Sequence, residues 1–139
     1  MAQELELKDK FVIAYDTICD GWNCMMTEDD DDDAEHPVLF DSEDEAFHEI
    51  FDGNHSMLES HLRNGQLEEL NEGVTSEMVE EMGEILASGD VTAMRKFMNE
   101  HPQCDDSQEW VEPAETFIMN RKAFLTSEGI VITGTKLVI

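Results

Sequence analysis

The sequence has very few basic residues. It contains 8 Lys and Arg among 139 residues, against 34 Asp and Glu, so its formal net charge is −26 at pH 7. A net charge of about 2 to 8 in magnitude is enough to keep a small domain soluble. A larger charge opposes compaction through self-repulsion, so this excess invites a functional explanation. It also argues against direct binding of nucleic acid or of an anionic lipid surface.

Cysteines and long apolar runs are also scarce. The three cysteines, Cys19, Cys24 and Cys104, are too few and too irregularly spaced for a disulfide framework, and no zinc-binding spacing includes them. No apolar run approaches the roughly 20 residues that cross a bilayer, and no signal sequence opens the chain. We therefore expect reduced thiols, a cytoplasmic location and no membrane partner.

The acidic residues that are present are concentrated in the middle of the chain. Residues 16–115 contain 30 of the 34 acids, and their only bases are Arg63, Arg95 and Lys96. The densest stretch is MMTEDDDDDAEHP at 25–37, with five consecutive aspartates. Because 40% of the residues are apolar, the chain can still bury a core. We therefore predict one domain over residues 1–139.

The nearly neutral ends of the chain predict β-sheet. KFVIAYDTI and WNCMMT flank Asp20-Gly21, a dipeptide that favours a tight hairpin turn. At the other end, AFLTSEGIVITGTKLVI predicts two strands around a turn at 127–129, with a bulge or bend at Gly134. VLF at 38–40 predicts a short strand. WVEPAETFIM predicts either an edge strand or a helix that its proline restricts.

The acidic middle of the chain predicts helices. Ser42 with Glu45 and Ser56 with Glu59 each fit the capping box of a helix start. They predict two short helices, SEDEAFHEIF and SMLESHLRNG, with a break at 52–54 between them.

Two further helices are predicted after Gly65, which ends the second one. Thr75 is the expected cap of SEMVEEMGEILASG, and Asp90 is the expected cap of VTAMRKFMNEH. The predicted class is α+β: N- and C-terminal antiparallel hairpins form a sheet, and the acidic helical region spans 42–101. The stretch 28–37 is the predicted acidic loop.

The helix predicted over 76–87 has two distinct faces. Five apolar residues fall on one face at helical spacing: Met78, Val79, Met82, Ile85 and Leu86. Four glutamates fall at i, i+3, i+4 and i+7 on the other face: Glu77, Glu80, Glu81 and Glu84. None has a basic residue three or four positions away, and like charges at this spacing destabilise a helix by a few tenths of a kcal/mol per pair. An ordinary surface helix would include lysines here.

Metal, cofactor and catalytic chemistry fit the sequence poorly. An EF-hand loop starting at Asp29 would place Ala34 where glycine is needed and Phe40 where a bidentate glutamate is needed. The histidines form no ligand set, no cysteine has an evident base, and no glycine-rich phosphate loop is present. We expect no metal, no cofactor and no enzymatic activity. Weak, nonspecific cation binding by residues 28–35 stays open.

The chain resembles the small, very acidic proteins with which phages and plasmids block host defence, including DNA-mimic anti-CRISPR and anti-restriction proteins. The resemblance covers roughly residues 28–115 and depends on size, charge and the helices SEDEAFHEI and SEMVEEMGEIL. It implies a phage protein that acts in the host bacterial cytoplasm as an inhibitor. The implied partner is a basic nucleic-acid-binding complex, such as a CRISPR effector or a restriction enzyme.

The predicted partner-binding surface contains thirteen carboxylates. They are Asp29, Asp30, Asp31, Asp32, Asp33, Glu43, Asp44, Glu45, Glu49, Glu77, Glu80, Glu81 and Glu84. The aspartate run could be an ordered part of this surface or a mobile loop that steers association. Two alternatives to mimicry stay open: an acidic adaptor or chaperone for a basic protein, and a halophilic-type acidic domain. A homodimer also stays open.

Overall fold

The computed structural model describes residues 4–17, 21–24, 26–28, 35–105, 107–118, 131–133 and 136–138. The chain divides into two compact units. The first consists of Met1–Ala46 with Glu109–Ile139, and the second of Phe47–Gln108. The second unit is therefore inserted in sequence between the two parts of the first. Strands and helices occur together, and the predicted α+β class is confirmed.

The first unit contains the β-strands of the described chain. They are β1 (Glu4–Glu6), β2 (Phe11–Thr17), β3 (Gly21–Cys24), β4 (Met26–Glu28), β5 (Glu35–Pro37), β6 (Trp110–Pro113), β7 (Val131–Thr133) and β8 (Lys136–Val138). They form three antiparallel sheets with the orders β1-β8-β7, β3-β2-β6 and β4-β5. β2 is a central strand, and its Val12, Ile13 and Ala14 are all buried. Burial on both faces explains why this strand is a continuous apolar run.

The two terminal hairpins lie in different sheets and not in one. β2 pairs with β3, whereas β7 pairs with β8. Thr133 is opposite Lys136 in the β7–β8 pair. The bulge or bend predicted at Gly134 lies outside the described residues. The turn predicted at 127–129 lies outside the described residues. Sequence patterns identify strands, but strand partners depend on contacts far apart in the chain.

Two other segments of the first unit differ from their predictions. Within VLF only Phe40 pairs, through a single bridge to Phe11, and the strand β5 precedes it. WVEPAETFIM combines both predicted alternatives, since β6 ends at Pro113 and residues 114–118 are helical. β6 is paired on one side by β2 and ends its sheet as described, which suits a strand that contains proline.

The second unit contains most of the helical structure. Its helices are α1 (Glu43–Arg63), which begins before the boundary, α2 (Leu67–Leu70), α3 (Ser76–Ser88) and α4 (Val91–Glu100). A 3₁₀ turn follows at Pro102–Cys104. The sequence did not predict α2 or this turn. The predicted caps of α3 and α4 are confirmed: the side chain of Thr75 accepts from the Met78 N–H, and that of Asp90 accepts from the Ala93 N–H.

A core of buried apolar residues joins these helices. Its members come from all four helices and the loops between them: Phe51, Leu58, Leu67, Val74, Val79, Met82, Met94, Phe97 and Cys104. The rings of Phe51 and Phe97 meet edge to face, with centroids 6.0 Å apart. This arrangement is favourable for two aromatic rings.

The predicted break at 52–54 is wrong, because α1 is one continuous helix. Its start is as predicted, since the Ser42 hydroxyl accepts from the Glu45 N–H at 3.1 Å. Gly53 lies inside the helix, and an added Cβ there would have no atom within 4 Å. Asn54 is only 1% exposed. Its amide donates to Asp105 Oδ1 at 3.3 Å and its carbonyl oxygen accepts from the Ser107 N–H at 2.9 Å.

Replacing Gly53 with alanine should stabilise the protein by about 0.5 to 1 kcal/mol, because glycine is the poorer helix former and the new methyl group meets no atom. Chemical denaturation would measure the change. Gly65→Ala is the control, since Gly65 has φ +72° and alanine there should cost about 1 to 2 kcal/mol. A destabilising Gly53→Ala would contradict a continuous α1.

Replacing Asn54 with alanine should destabilise the protein by about 2 to 3 kcal/mol, because it leaves the Ser107 N–H and the Asp105 carboxylate without this partner. The measurement is again the free energy of unfolding. Asn64→Ala is the matched control: Asn64 is exposed near the end of the same helix and should change stability by less than about 0.5 kcal/mol. Equal effects of the two substitutions would contradict the structural role of Asn54.

Candidate functional site

Helix α3 presents the two faces that its sequence predicts. Val79 and Met82 are buried in the core of the second unit, and Met78, Ile85 and Leu86 pack against the same core. Glu77, Glu80, Glu81 and Glu84 are all exposed. With 3.6 residues per turn, these four glutamates occupy an arc of about 100° around the helix. They form one surface, which we call the α3 carboxylate stripe.

Both ends of α3 are fixed by local structure. At the N-terminus the Thr75 side chain caps the helix, and at the C-terminus Gly89 adopts φ 71° while its N–H bonds the Leu86 carbonyl. Glycine adopts this left-handed conformation without the steric penalty that a Cβ brings. The stripe therefore lies on a helix held by its buried face and by a cap at each end.

The α3 carboxylate stripe has no basic partner within the described part of the chain. No Lys, Arg or His nitrogen there lies within 4.0 Å of its carboxylate oxygens. The last turn of α3 contains no basic residue either, although cations are favoured at a helix C-terminus. The stability of the helix gives no reason for this charge pattern, since each like-charged neighbour at i, i+4 weakens it slightly.

The predicted acids of α1 have a simpler structural explanation. Glu43, Asp44 and Glu45 are exposed in the first turn of the helix, where the helix dipole favours negative charge by about 0.3 to 1 kcal/mol each. Glu49 is exposed one turn after Glu45. These four residues are accessible, but three of them stabilise the helix start. The α3 carboxylate stripe, which helix stability does not explain, is therefore stronger evidence for a binding surface than the acids of α1.

The remaining predicted site residues are Asp29, Asp30, Asp31, Asp32 and Asp33, which lie outside the described residues. Their contribution to the surface stays a prediction.

An acidic group that was not predicted from the sequence lies between α1 and α3 in the chain. Glu68 and Glu69 on α2, and Glu72 in the turn after it, are all exposed. Glu68 also lines a groove of about 340 Å³ whose other walls include Leu62, Leu67 and Val74. The available signal was the stretch GQLEELNEG, which has three glutamates and no base.

The histidines of the second unit have mostly structural contacts. His55 Nε2 lies 3.5 Å from a carboxylate oxygen of Glu59, and His61 Nδ1 lies 2.6 Å from Asn71 Oδ1. The ring of His101 packs on Phe97 with centroids 4.7 Å apart. In the part of the chain that the structure describes, no three His, Cys, Asp or Glu side chains are grouped so as to hold a metal ion.

The thiol of Cys104 is buried in the core of the second unit. Burial, and to a smaller extent the negative charge of Glu81, together raise its pKa from 9.0 to about 11. A thiol is nucleophilic only as the thiolate. The environment of Cys104 thus opposes its use as a nucleophile.

None of the described helices is both long enough and apolar enough to span a bilayer.

No family model, no curated protein and no solved structure matches this chain.

Cys104 should resist alkylation in the folded protein. With a pKa of about 11, only about one molecule in a thousand carries the thiolate near pH 8, and the core shields the sulfur. Iodoacetamide treatment followed by peptide mass mapping should find Cys104 unmodified in native protein and fully modified after denaturation. Labelling of native Cys104 at the rate of a free thiol would contradict its burial.

The same pKa shift has a defined effect on stability. Because the pKa is raised in the folded state, the unfolded chain loses the thiol proton first. The contribution of the neutral thiol to the free energy of unfolding is complete below the unfolded pKa of 9.0 and is lost as the pH rises through about 11.

Proposed function

We propose that this protein is a non-enzymatic inhibitor that presents a DNA-like carboxylate surface to the basic groove of a nucleic-acid-binding host-defence complex. The observation that carries the proposal is the α3 carboxylate stripe: four exposed glutamates on one face of a helix whose opposite face is buried. The complex is a CRISPR effector or a restriction enzyme. The protein acts in the cytoplasm and makes no direct contact with nucleic acid or membrane.

The spacing of the stripe supports mimicry of a phosphate backbone. Glu77 and Glu84 are seven residues apart, which is about 10.5 Å along the axis at 1.5 Å per residue. Four consecutive phosphates of one DNA strand span about 10 Å along the duplex axis at 3.4 Å per phosphate. Four carboxylates thus occupy the same axial length as four phosphates. The stripe therefore matches one DNA strand in charge per length of axis, which is the property that a basic groove attracts most strongly.

Preorganisation strengthens this argument. Rigid side-chain positions reduce the entropy that is lost when a complex forms. Packing of Val79 and Met82, together with the caps at Thr75 and Gly89, fixes the backbone that carries the glutamates. The repulsion among the glutamates is already present in the free protein, and a basic groove would relieve it. Binding therefore gains from charge neutralisation without a large ordering cost.

An acidic adaptor or chaperone for a basic protein is the second candidate. The exposed glutamates outside the stripe favour it, since Glu68, Glu69 and Glu72 extend the negative surface without the regular spacing of a helix face. An adaptor needs net charge near its partner but no match to phosphate positions. The two candidates therefore differ in whether duplex DNA and this protein exclude one another on the partner.

A competition experiment tests the proposal. The tagged protein is used to capture partners from a bacterial lysate, and the captured complex is then titrated with duplex DNA. Mimicry predicts that DNA displaces the protein from the complex and that the protein alone gives no mobility shift with DNA at physiological salt. A ternary complex of DNA, partner and protein would exclude mimicry and favour the adaptor.

The double substitution Glu80→Lys with Glu84→Lys should raise the dissociation rate of this complex at least tenfold and abolish inhibition, because it removes two preorganised contacts. Surface plasmon resonance separates the two rate constants. The comparison variant replaces Asp29, Asp30, Asp31, Asp32 and Asp33 with serine, which changes the net charge by a similar amount. It should mainly slow association. If both variants lost affinity equally, and only through slower association, net charge alone would be sufficient for binding.

A further inference from the structure

The groove beside α3 has an apolar floor and is open to solvent. Leu62 near the end of α1, Leu67 at the start of α2 and Val74 in the following loop supply its aliphatic walls. Leu67 and Val74 are buried, whereas Leu62 keeps 38% of its surface exposed. A volume of about 340 Å³ is at the lower end of the range of ligand pockets. It suits one or two side chains better than a whole cofactor.

The lining of the groove includes one acidic residue and no basic one. Glu68 lines it directly, and Thr75 and Ser76 form the side that leads into α3. The second unit as a whole contains 14 acidic and 3 basic residues over 47–108. The one base near this groove in sequence, Arg63, lies 3.8 Å from Glu59. A ligand in the groove is therefore surrounded by a net negative charge. This charge favours a cationic partner and disfavours fatty acids, nucleotides and other anions.

The groove adjoins the start of the α3 carboxylate stripe in sequence. Ser76 lines the groove, and the next residue, Glu77, is the first member of the stripe. A basic chain segment bound at Glu77 would therefore lie one residue from the lining of the groove. Apolar contacts in the groove would add binding free energy that a purely ionic surface lacks, because this energy concentrates where a side chain fills a desolvated pocket.

We infer that this groove receives one aliphatic or aromatic side chain from a Lys- or Arg-rich segment of the partner protein. The inference rests on the proposed function and deepens it, because it makes the partner a protein segment with an apolar anchor and not merely any cationic surface. The carboxylates supply attraction, and Leu62, Leu67 and Val74 supply selectivity for a segment that carries the anchor.

Two synthetic peptides test this inference. Both contain the same number of lysines; one has a central leucine and the other a central glycine. Isothermal titration calorimetry at physiological salt gives the ratio of their dissociation constants. The leucine peptide should bind about fivefold more tightly, because partial burial of one leucine side chain contributes an effect of this size. Equal affinities would overturn the inference.

Two matched variants localise the effect. Leu62→Gln removes an aliphatic wall of the groove and should reduce the ratio to about one. Met57→Gln makes a comparable change on the same helix at a side chain that is 48% exposed and lies five residues, or about 140°, away. It should leave the ratio unchanged. Both variants must keep the melting temperature of the parent. A ratio that persists in Leu62→Gln, or that also vanishes in Met57→Gln, would overturn the inference.

A second copy of this chain is the competing occupant. Sedimentation equilibrium of the parent and of Leu62→Gln decides this: a dimer that Leu62→Gln converts to a monomer would overturn the inference, and a monomer in both supports a partner segment. The peptide ratio is measured without DNA, so its outcome is separate from the DNA competition experiment. DNA competition with no leucine preference would remove the groove inference and leave mimicry standing. A leucine preference without DNA competition would remove mimicry and leave the groove inference standing.

Discussion

The burial of one face of α3 is the constraint on which the acidic surface depends. Val79 and Met82 insert into a core that also contains Phe51, Phe97 and Met94. Because these contacts fix the rotation of the helix about its axis, they also fix the direction of the opposite face. If α3 were free to rotate, its glutamates would average into a diffuse negative charge. The apolar residues thus determine the geometry of the charged ones.

The protein also has to fold against its own charge. Self-repulsion opposes compaction most strongly where acids are dense and unpaired, and the second unit combines 14 acids with 3 bases. Its core spans four helices and the loops between them, and buried polar contacts add to it. Asn54, for example, connects α1 to residues 105 and 107. Such long-range contacts oppose the expansion that the surface charge favours.

Local signals were sufficient to predict part of this structure. Thr75 and Asp90 define helix starts through bonds to residues three positions away, so their roles can be predicted from sequence. The spacing of the α3 glutamates was visible for the same reason. The continuity of α1 was not visible, because Asn54, the last of the three residues 52–54 that suggested a break, is hydrogen-bonded to partners 51 and 53 residues later. The strand partners and the groove could not be predicted for the same reason, because they depend on contacts between separate elements. The groove, for example, is lined by Leu62, Leu67 and Val74 from three such elements.

The pairing of β1 with β8 has a consequence for the order in which the chain can fold as it is synthesised. Glu4 pairs with Val138, so this sheet joins two segments that leave the ribosome more than 130 residues apart. The helices of Phe47–Gln108 are complete much earlier and can form their own core while synthesis continues. Until β8 emerges, β1 is an unpaired strand, and unpaired strand edges are prone to association with other chains. The glutamates Glu4 and Glu6 on this short strand give it the charge that discourages such association.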